Sequence, residues 1–150
     1  MADDVKLEGF RELDKQLATL GVRAEKRVVK TAIRKASEII HREIVARTPV
    51  DTGRLKAALS KVRGILRSLK KSKQGNVGTG VFLPRRKALG IAEDATFYYP
   101  AAVEYGTKDR AGTHFVRSAV EAKTQEYLAM LRKELGLGIE SEAKKPGGAA

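Results

Sequence analysis

The sequence predicts an α+β domain: a small antiparallel sheet packed against two long amphipathic helices, with a short helix ahead of them. Two stretches, 22–46 and 113–135, repeat apolar residues at intervals of three and four, the spacing of one helical face. Between them, short runs of strand formers flank a polar, glycine-containing tip, the pattern of a hairpin. The chain of 150 residues is one domain's length, enough for a core that needs neither metal nor disulfide.

At the start, Val5-Lys6-Leu7-Glu8 alternates apolar and charged residues, as a short edge strand before Gly9 would. Phe10, Leu13, Leu17 and Leu20 then mark one face of a short helix, with Gly21 placed to cap its C-terminus. The strongest periodicity follows. Val29, Ile33, Ala36, Ile40 and Ile44, flanked by Val28, Ala32 and Ile39, predict a long amphipathic helix over 22–46. Pro49 ends it, because the residue before a proline avoids the α region.

In Val50-Asp51-Thr52-Gly53-Arg54-Leu55, Asp51 is expected to act as an N-cap and Gly53 to permit a sharp reversal. A helical turn through Leu59 follows. Val62, Ile65 and Leu66, then Val77 and Val81-Phe82-Leu83, are expected to pair as strands around a basic tip at 70–76. Pro84-Arg85-Arg86-Lys87 is expected as loop. Residues 96–105 are rich in strand formers but interrupted by Pro100, which predicts one strand and a helical turn ending at Gly106. Gly112-Thr113 opens the last helix, with Val116, Val120, Tyr127, Leu131 and Leu135 on one stripe and Phe115, Ala119 and Leu128 beside it. Gly136 and Gly138 are expected to close it, giving one domain over 1–138 and a flexible polar tail over 139–150.

Composition narrows the function classes. The chain is 42% hydrophobic but only 5% aromatic, without tryptophan, so the core is expected to be aliphatic and alanine-rich. The absence of cysteine excludes disulfide frameworks, thiolate metal sites and cysteine nucleophiles. The N-terminus lacks a signal-peptide pattern, and no apolar run approaches the roughly 20 residues that span a bilayer, so a soluble, cytoplasmic protein without a membrane partner is expected. The formal charge is +12, concentrated in one stretch. Lys61, Arg63, Arg67, Lys70, Lys71, Lys73, Arg85, Arg86 and Lys87 fall within residues 61–90, which contain no acidic residue. Such a field attracts an acidic partner, either a nucleic-acid backbone or a negative protein surface. A solvated loop that aids solubility is the alternative.

Little else suggests chemistry. His41, within the long helix, and His114, at the entrance to the last, lack the converging partners of a metal site and read as solvated or capping side chains. Asp51 with Glu104, or Glu93 with Asp94, could form a carboxylate pair, yet their spacing fits caps and turns equally well. Gly75, Gly78 and Gly80 follow lysines rather than a strand, so they fail the context of a phosphate-binding loop. No catalytic residue, metal or cofactor is expected.

Three stretches together resemble a known family. They are Val5-Lys6-Leu7-Glu8-Gly9-Phe10 with Leu13 and Leu17; Ala46 to Leu55, containing Pro49, Asp51, Thr52 and Gly53; and Tyr98 to Thr107, containing Glu104, Tyr105 and Gly106, followed by Phe115-Val116-Arg117. The pattern is similar to the tail-component family of lambdoid siphophages, in particular the tail completion proteins of the lambda Z type, over roughly residues 5–135. The segment His114-Phe115-Val116-Arg117-Ser118-Ala119 departs from that family's usual form in lacking both of its prolines. The resemblance implies a non-enzymatic virion protein, assembled in the host cytoplasm, that forms a ring of copies at the neck of a long-tailed phage. Its implied partners are other copies of itself, a tail terminator or tail-tube protein, head–tail connector proteins and, non-specifically, packaged DNA. Asp51, Gly53, Tyr105 and Gly106 are then expected to scaffold the turn regions. The alternative is a sequence-independent nucleic-acid-binding protein that uses the basic 61–87 arm.

Overall fold

The computed structural model describes residues 9–51, 53–60, 66–68, 79–81 and 84–145. In chain order these form α1 (Phe10–Ala18), α2 (Val22–Arg47), α3 (Arg54–Leu59), β1 (Leu66–Ser68), β2 (Thr79–Val81), a 3-10 turn (Arg86–Leu89), α4 (Tyr99–Tyr105), β3 (Gly106–Thr107), β4 (Arg110–Ala111) and α5 (Phe115–Ala143). The architecture is α+β and mostly helical. The two long helices, α2 and α5, form the main packing pair; α1 lies against α5, and the hairpin of β1 and β2 lies against α2. β1 pairs antiparallel with β2, Leu66 opposite Val81 and Ser68 opposite Thr79, while β3 and β4 form a second, two-residue hairpin. The expected tip at 70–76 and the N-terminal Val5–Glu8 segment lie outside the described residues, as do Val62, Ile65, Val77, Phe82 and Leu83.

Two apolar clusters sit at opposite ends of the α2–α5 pair. One joins Leu17 of α1, Val28 and Ala32 of α2, and Leu135 and Ile139 of α5. The other joins Ile44 of α2, Leu55 and Leu59 of α3, Leu89, and Phe115 and Ala119 of α5. Alanines at the contact let the helix axes approach closely, as the low aromatic content predicts. Polar links tie the helices along their length. Arg27 grips Glu142 through two bonds of 3.1 and 2.6 Å, and Lys35 meets Glu134 at 2.7 Å.

Several expectations need correction. The buried stripe of α2 is Val28, Ala32, Ala36, Ser37, His41 and Ile44; of the predicted Val29–Ile33–Ala36–Ile40–Ile44 line Ala36 and Ile44 are buried but Val29, Ile33 and Ile40 only half-buried, a slight rotation toward the flanking Val28 and Ala32. The rotation arises because α1 and the end of α5 cover one half of the helix, whereas α3 and the start of α5 cover the other. On α5 the buried residues include Phe115, Ala119, Leu135 and Ile139, while Val120 is exposed. Gly136 and Gly138 do not close α5. The helix continues to Ala143, with Ile139 and Glu142 buried, so residues 139–143 belong to the packed fold rather than to a tail. A helical glycine costs about 1 kcal/mol, which tertiary packing overrides here: a Cβ on Gly138 would lie 2.6 Å from Val28 Cγ1.

Gly21 precedes α2 in an extended conformation, whereas Thr19 ends α1. Residues 96–98 form no strand. Tyr99 to Tyr105 is helical instead, and Pro100 is tolerated because it falls in the first turn, where no backbone donor is needed.

Candidate partner-binding cleft

The stretches that carry the family resemblance converge in space. The first follows α2. Thr48, the C-cap residue, returns its hydroxyl to the carbonyl of Ile44 at 2.7 Å, and Pro49 forces the chain off the helix. Gly53 then turns the chain into α3 with φ of 75°, a left-handed conformation that side chains resist. Gly53, not the expected Asp51, occupies the N-cap position of α3, and no side chain among the described residues caps that helix. Asp51 is exposed, and Thr52 lies outside the described residues.

α3 is anchored from beneath by His41. Its Nε2 lies 2.6 Å from the carbonyl oxygen of Leu59, in a site where the histidine is 3% exposed. A carbonyl only accepts, so Nε2 carries the proton. His41 is therefore a buried strut between α2 and α3; of the two roles expected from sequence, solvated or capping, its bond to the last carbonyl of α3 excludes the first.

The second stretch is α4 with the β3–β4 hairpin, wired onto the start of α5. The carboxylate of Glu104, 4% exposed, accepts the backbone N–H of Val116 at 2.9 Å and of Arg117 at 3.1 Å. The first turn of a helix leaves its N–H groups without intrahelical partners, and a carboxylate there also meets the positive end of the helix dipole. Thr113 and His114 donate their backbone N–H groups to the carbonyls of Val103 and Glu104 at 2.8 and 3.0 Å. His114 precedes α5 with φ of 48°, a conformation seldom taken by non-glycine residues. Gly106 and Gly112 make this knot possible. A Cβ on Gly106 would sit 2.6 Å from Arg110 O, and one on Gly112 would collide with Glu104 O. Glu104 is thus a structural cap, not half of a carboxylate pair.

Between the two stretches lies a cleft of about 600 Å³. Pro49, Val50, Asp51, Gly53 and Leu55 form one wall; Phe97, Tyr99, Ala102 and Val103, with Thr107, Arg110, Ala111 and Thr113, form the other. Val50 is 64% exposed and Phe97 58%, large apolar side chains left open to water at the rim. Tyr105, on α4, is 74% exposed. The hydroxyl of Tyr99 is buried and has no hydrogen-bond partner among the described residues; burial raises its pKa, partly offset by the positive charge of Arg54. A cleft of mixed apolar and polar lining with large apolar side chains exposed at its rim is suited to receiving part of another protein. Among the described residues, no group of three or more metal-binding side chains comes together, and no helix is long and apolar enough to cross a membrane.

The predicted basic cluster divides. Lys61, Arg63, Lys70, Lys71 and Lys73 lie outside the described residues, and Arg67 is placed by its backbone in β1. Arg85 and Lys87 are exposed. Arg86 is half-buried and engaged in its own loop: it donates to the carbonyl of Ala95 and lies 5.8 Å over the ring of Tyr98. Tyr98 in turn donates its hydroxyl to Pro84 O at 2.7 Å. Arg86 therefore holds the 84–98 loop closed, a role that charge counting along the sequence does not reveal.

No curated protein and no solved structure matches the chain. A family model described as "Bacteriophage HK97-gp10, putative tail-component" matches residues 11–106, from α1 to the β3 glycine, which takes in the Pro49–Leu55 wall of the cleft and Phe97, Tyr99, Ala102 and Val103 of the other. With well over half of its length matched, this chain belongs to the HK97-gp10-like family of bacteriophage tail components.

Proposed function

We propose that this tail component is a tail completion subunit, similar to the lambda Z type, which assembles as a ring at the neck of a long-tailed phage. Within the ring, each copy contacts other copies, a tail terminator or tail-tube protein on one side and head–tail connector proteins on the other. The observation that carries the reading is the cleft. The two motif stretches, Pro49 to Leu55 and Tyr98 to Thr107, meet there beside exposed Val50 and Phe97. A motif that served folding alone would bury its large apolar side chains, whereas these remain available for contact. Glu104 and His41 hold the cleft walls in place and take no part in a reaction.

Light scattering of the purified chain, alone and mixed with tail-tube or connector protein, tests the proposal. A closed oligomer or a stoichiometric complex supports it; a monomer that binds neither overturns it. Micrographs of particles made without this chain should then show filled heads and finished tails left apart.

A further inference from the structure

Helix α2 contains eight basic residues, and the fold treats them in two ways. Four are ion-paired: Arg27 with Glu142, Lys35 with Glu134, Arg42 with Glu38 and Arg47 with Glu43. The other four, Arg23, Lys26, Lys30 and Arg34, have no acidic partner among the described residues. Their spacing of three, four and four puts them in one row on one helical face. At 1.5 Å per residue, the row is about 16 Å long. Arg23, Lys30 and Arg34 are exposed and Lys26 is half-buried. Glu25 lies roughly 100° around the helix from Lys26, and Glu38, one turn beyond Arg34 on the same face, pairs with Arg42.

We propose that this row binds the sugar-phosphate backbone of duplex DNA without reading its sequence. Like charges at these spacings repel, and the helix relieves its other cations with carboxylates. Four aligned cations left unrelieved are matched by a linear polyanion, which supplies regularly spaced negative charge along the row. The row contains no Asn, Gln or aromatic side chain for reading or stacking on bases. An acidic protein surface fits less well. Protein interfaces are anchored by large apolar side chains; among the described residues Val22 is the exposed one adjoining the row in sequence and Leu137 lies on α5 next to Gly138, which abuts Val28, whereas Val50 and Phe97 line the cleft, Tyr105 ends α4 and Val120 lies near the start of α5. The row comprises residues other than those of the 61–87 cluster and does not depend on ring formation.

The full chain is titrated with AT-rich and GC-rich duplexes at several salt concentrations. The test variant is Arg23→Gln/Lys26→Gln/Lys30→Gln/Arg34→Gln. The control removes the same charge elsewhere, through Arg11→Gln/Lys15→Gln/Lys108→Gln/Lys133→Gln, all exposed side chains. The test variant is expected to lower the slope of log K against log salt by about 3 to 4, at roughly 0.9 per phosphate contact, equally on both duplexes. The control should stay within about 1 of the parent slope. An unchanged slope in the test variant, or an equal loss in the control, overturns the proposal. So does poly-L-glutamate competing more strongly than DNA of equal charge, which would assign the row to an acidic protein. Should the fourfold variant fail to fold, Lys30→Gln/Arg34→Gln is expected to show half the loss, and no loss there overturns the proposal equally.

Discussion

Glu104 and Val116 are twelve residues apart in sequence, yet the carboxylate of one receives the backbone N–H of the other at 2.9 Å, with Arg117 N–H on the second oxygen at 3.1 Å. The turn at the end of α4 is thereby fastened to the first turn of the longest helix. The cleft wall built from α4 cannot move independently of α5 without exposing a buried charge and two helix-terminal donors. Such a link suits a protein that presents a surface, because it fixes the surface relative to the core.

Replacing Glu104 with Ala should therefore destabilise the chain by about 2–3 kcal/mol, the scale of a lost cap combined with unsatisfied donors in a buried site. Glu104→Gln retains one acceptor but points an amide N–H₂ toward the other donor, so a loss of about 1–2 kcal/mol is expected. Urea denaturation curves of the three proteins measure both values. Equal stability of all three would mean that solvent replaces the cap without penalty.

The two glycines of α5 should respond with opposite signs. A Cβ at Gly136 meets nothing within 4 Å, whereas one at Gly138 comes 2.6 Å from Val28 Cγ1. Gly136→Ala should gain about 0.5–1 kcal/mol from helix propensity. Gly138→Ala carries the same gain but must push Val28 aside within a cluster containing Leu135 and Ile139, a net loss of about 1–2 kcal/mol. Combining Gly138→Ala with Val28→Ala should cost less than the two single losses together, because the smaller side chain makes room. Thermal melts of the four variants settle the signs.

These glycines also show where sequence ceases to specify structure. The extents of α1, α2 and the start of α5 were legible because their apolar residues recur at helical spacing, and the hairpin because strand formers flank a polar tip. Gly136 and Gly138 carried the ordinary signature of a helix end, and only the approach of Val28 and the burial of Ile139 explain why the helix continues. Tyr98 and Tyr99 have strand-forming side chains, yet Pro100 proved to be a first-turn residue. At the candidate site, the motif residues could be named from sequence. The cleft between them could not, because it depends on a long-range meeting of 49–55 with 97–113. His41 was invisible as a strut, since its partner is a backbone oxygen eighteen positions away.

Acid should loosen the end of the α2–α5 pair that contains Glu142. Its hydrogen bonds to Arg27 and Lys145 hold the carboxyl below its ordinary value of 4.5. A carboxyl with a depressed folded-state pKa contributes stability that is fully present above the unfolded value and disappears as pH falls through the folded one. The contribution should thus be intact at pH 6 and fade progressively below about 4.5. Glu142→Gln, which cannot ionise, should be less stable than the parent at pH 6 and converge on it near pH 3. Melting temperatures across this range compare the two proteins, and a constant gap would remove Glu142 from the account of acid sensitivity.

The final prediction separates folding from assembly. Val50 and Phe97 are exposed, and neither belongs to a core cluster. Val50→Glu/Phe97→Glu should therefore leave stability within about 1 kcal/mol, the range of surface substitutions. The same pair of charges placed at the cleft rim must be desolvated when a partner docks there, and an unpaired carboxylate in an apolar contact has no compensating interaction. Complex formation with other copies or with a tail or connector protein should be lost. Val120→Glu, which alters an exposed apolar position on α5 outside the cleft, provides the comparison and should assemble normally. If the double variant folds and still assembles like the parent, the cleft is not the contact surface. If it fails to fold, Val50→Ser/Phe97→Ser answers the same question without adding charge, since removing the apolar rim weakens docking while leaving the cluster of Ile44, Leu59 and Phe115 intact.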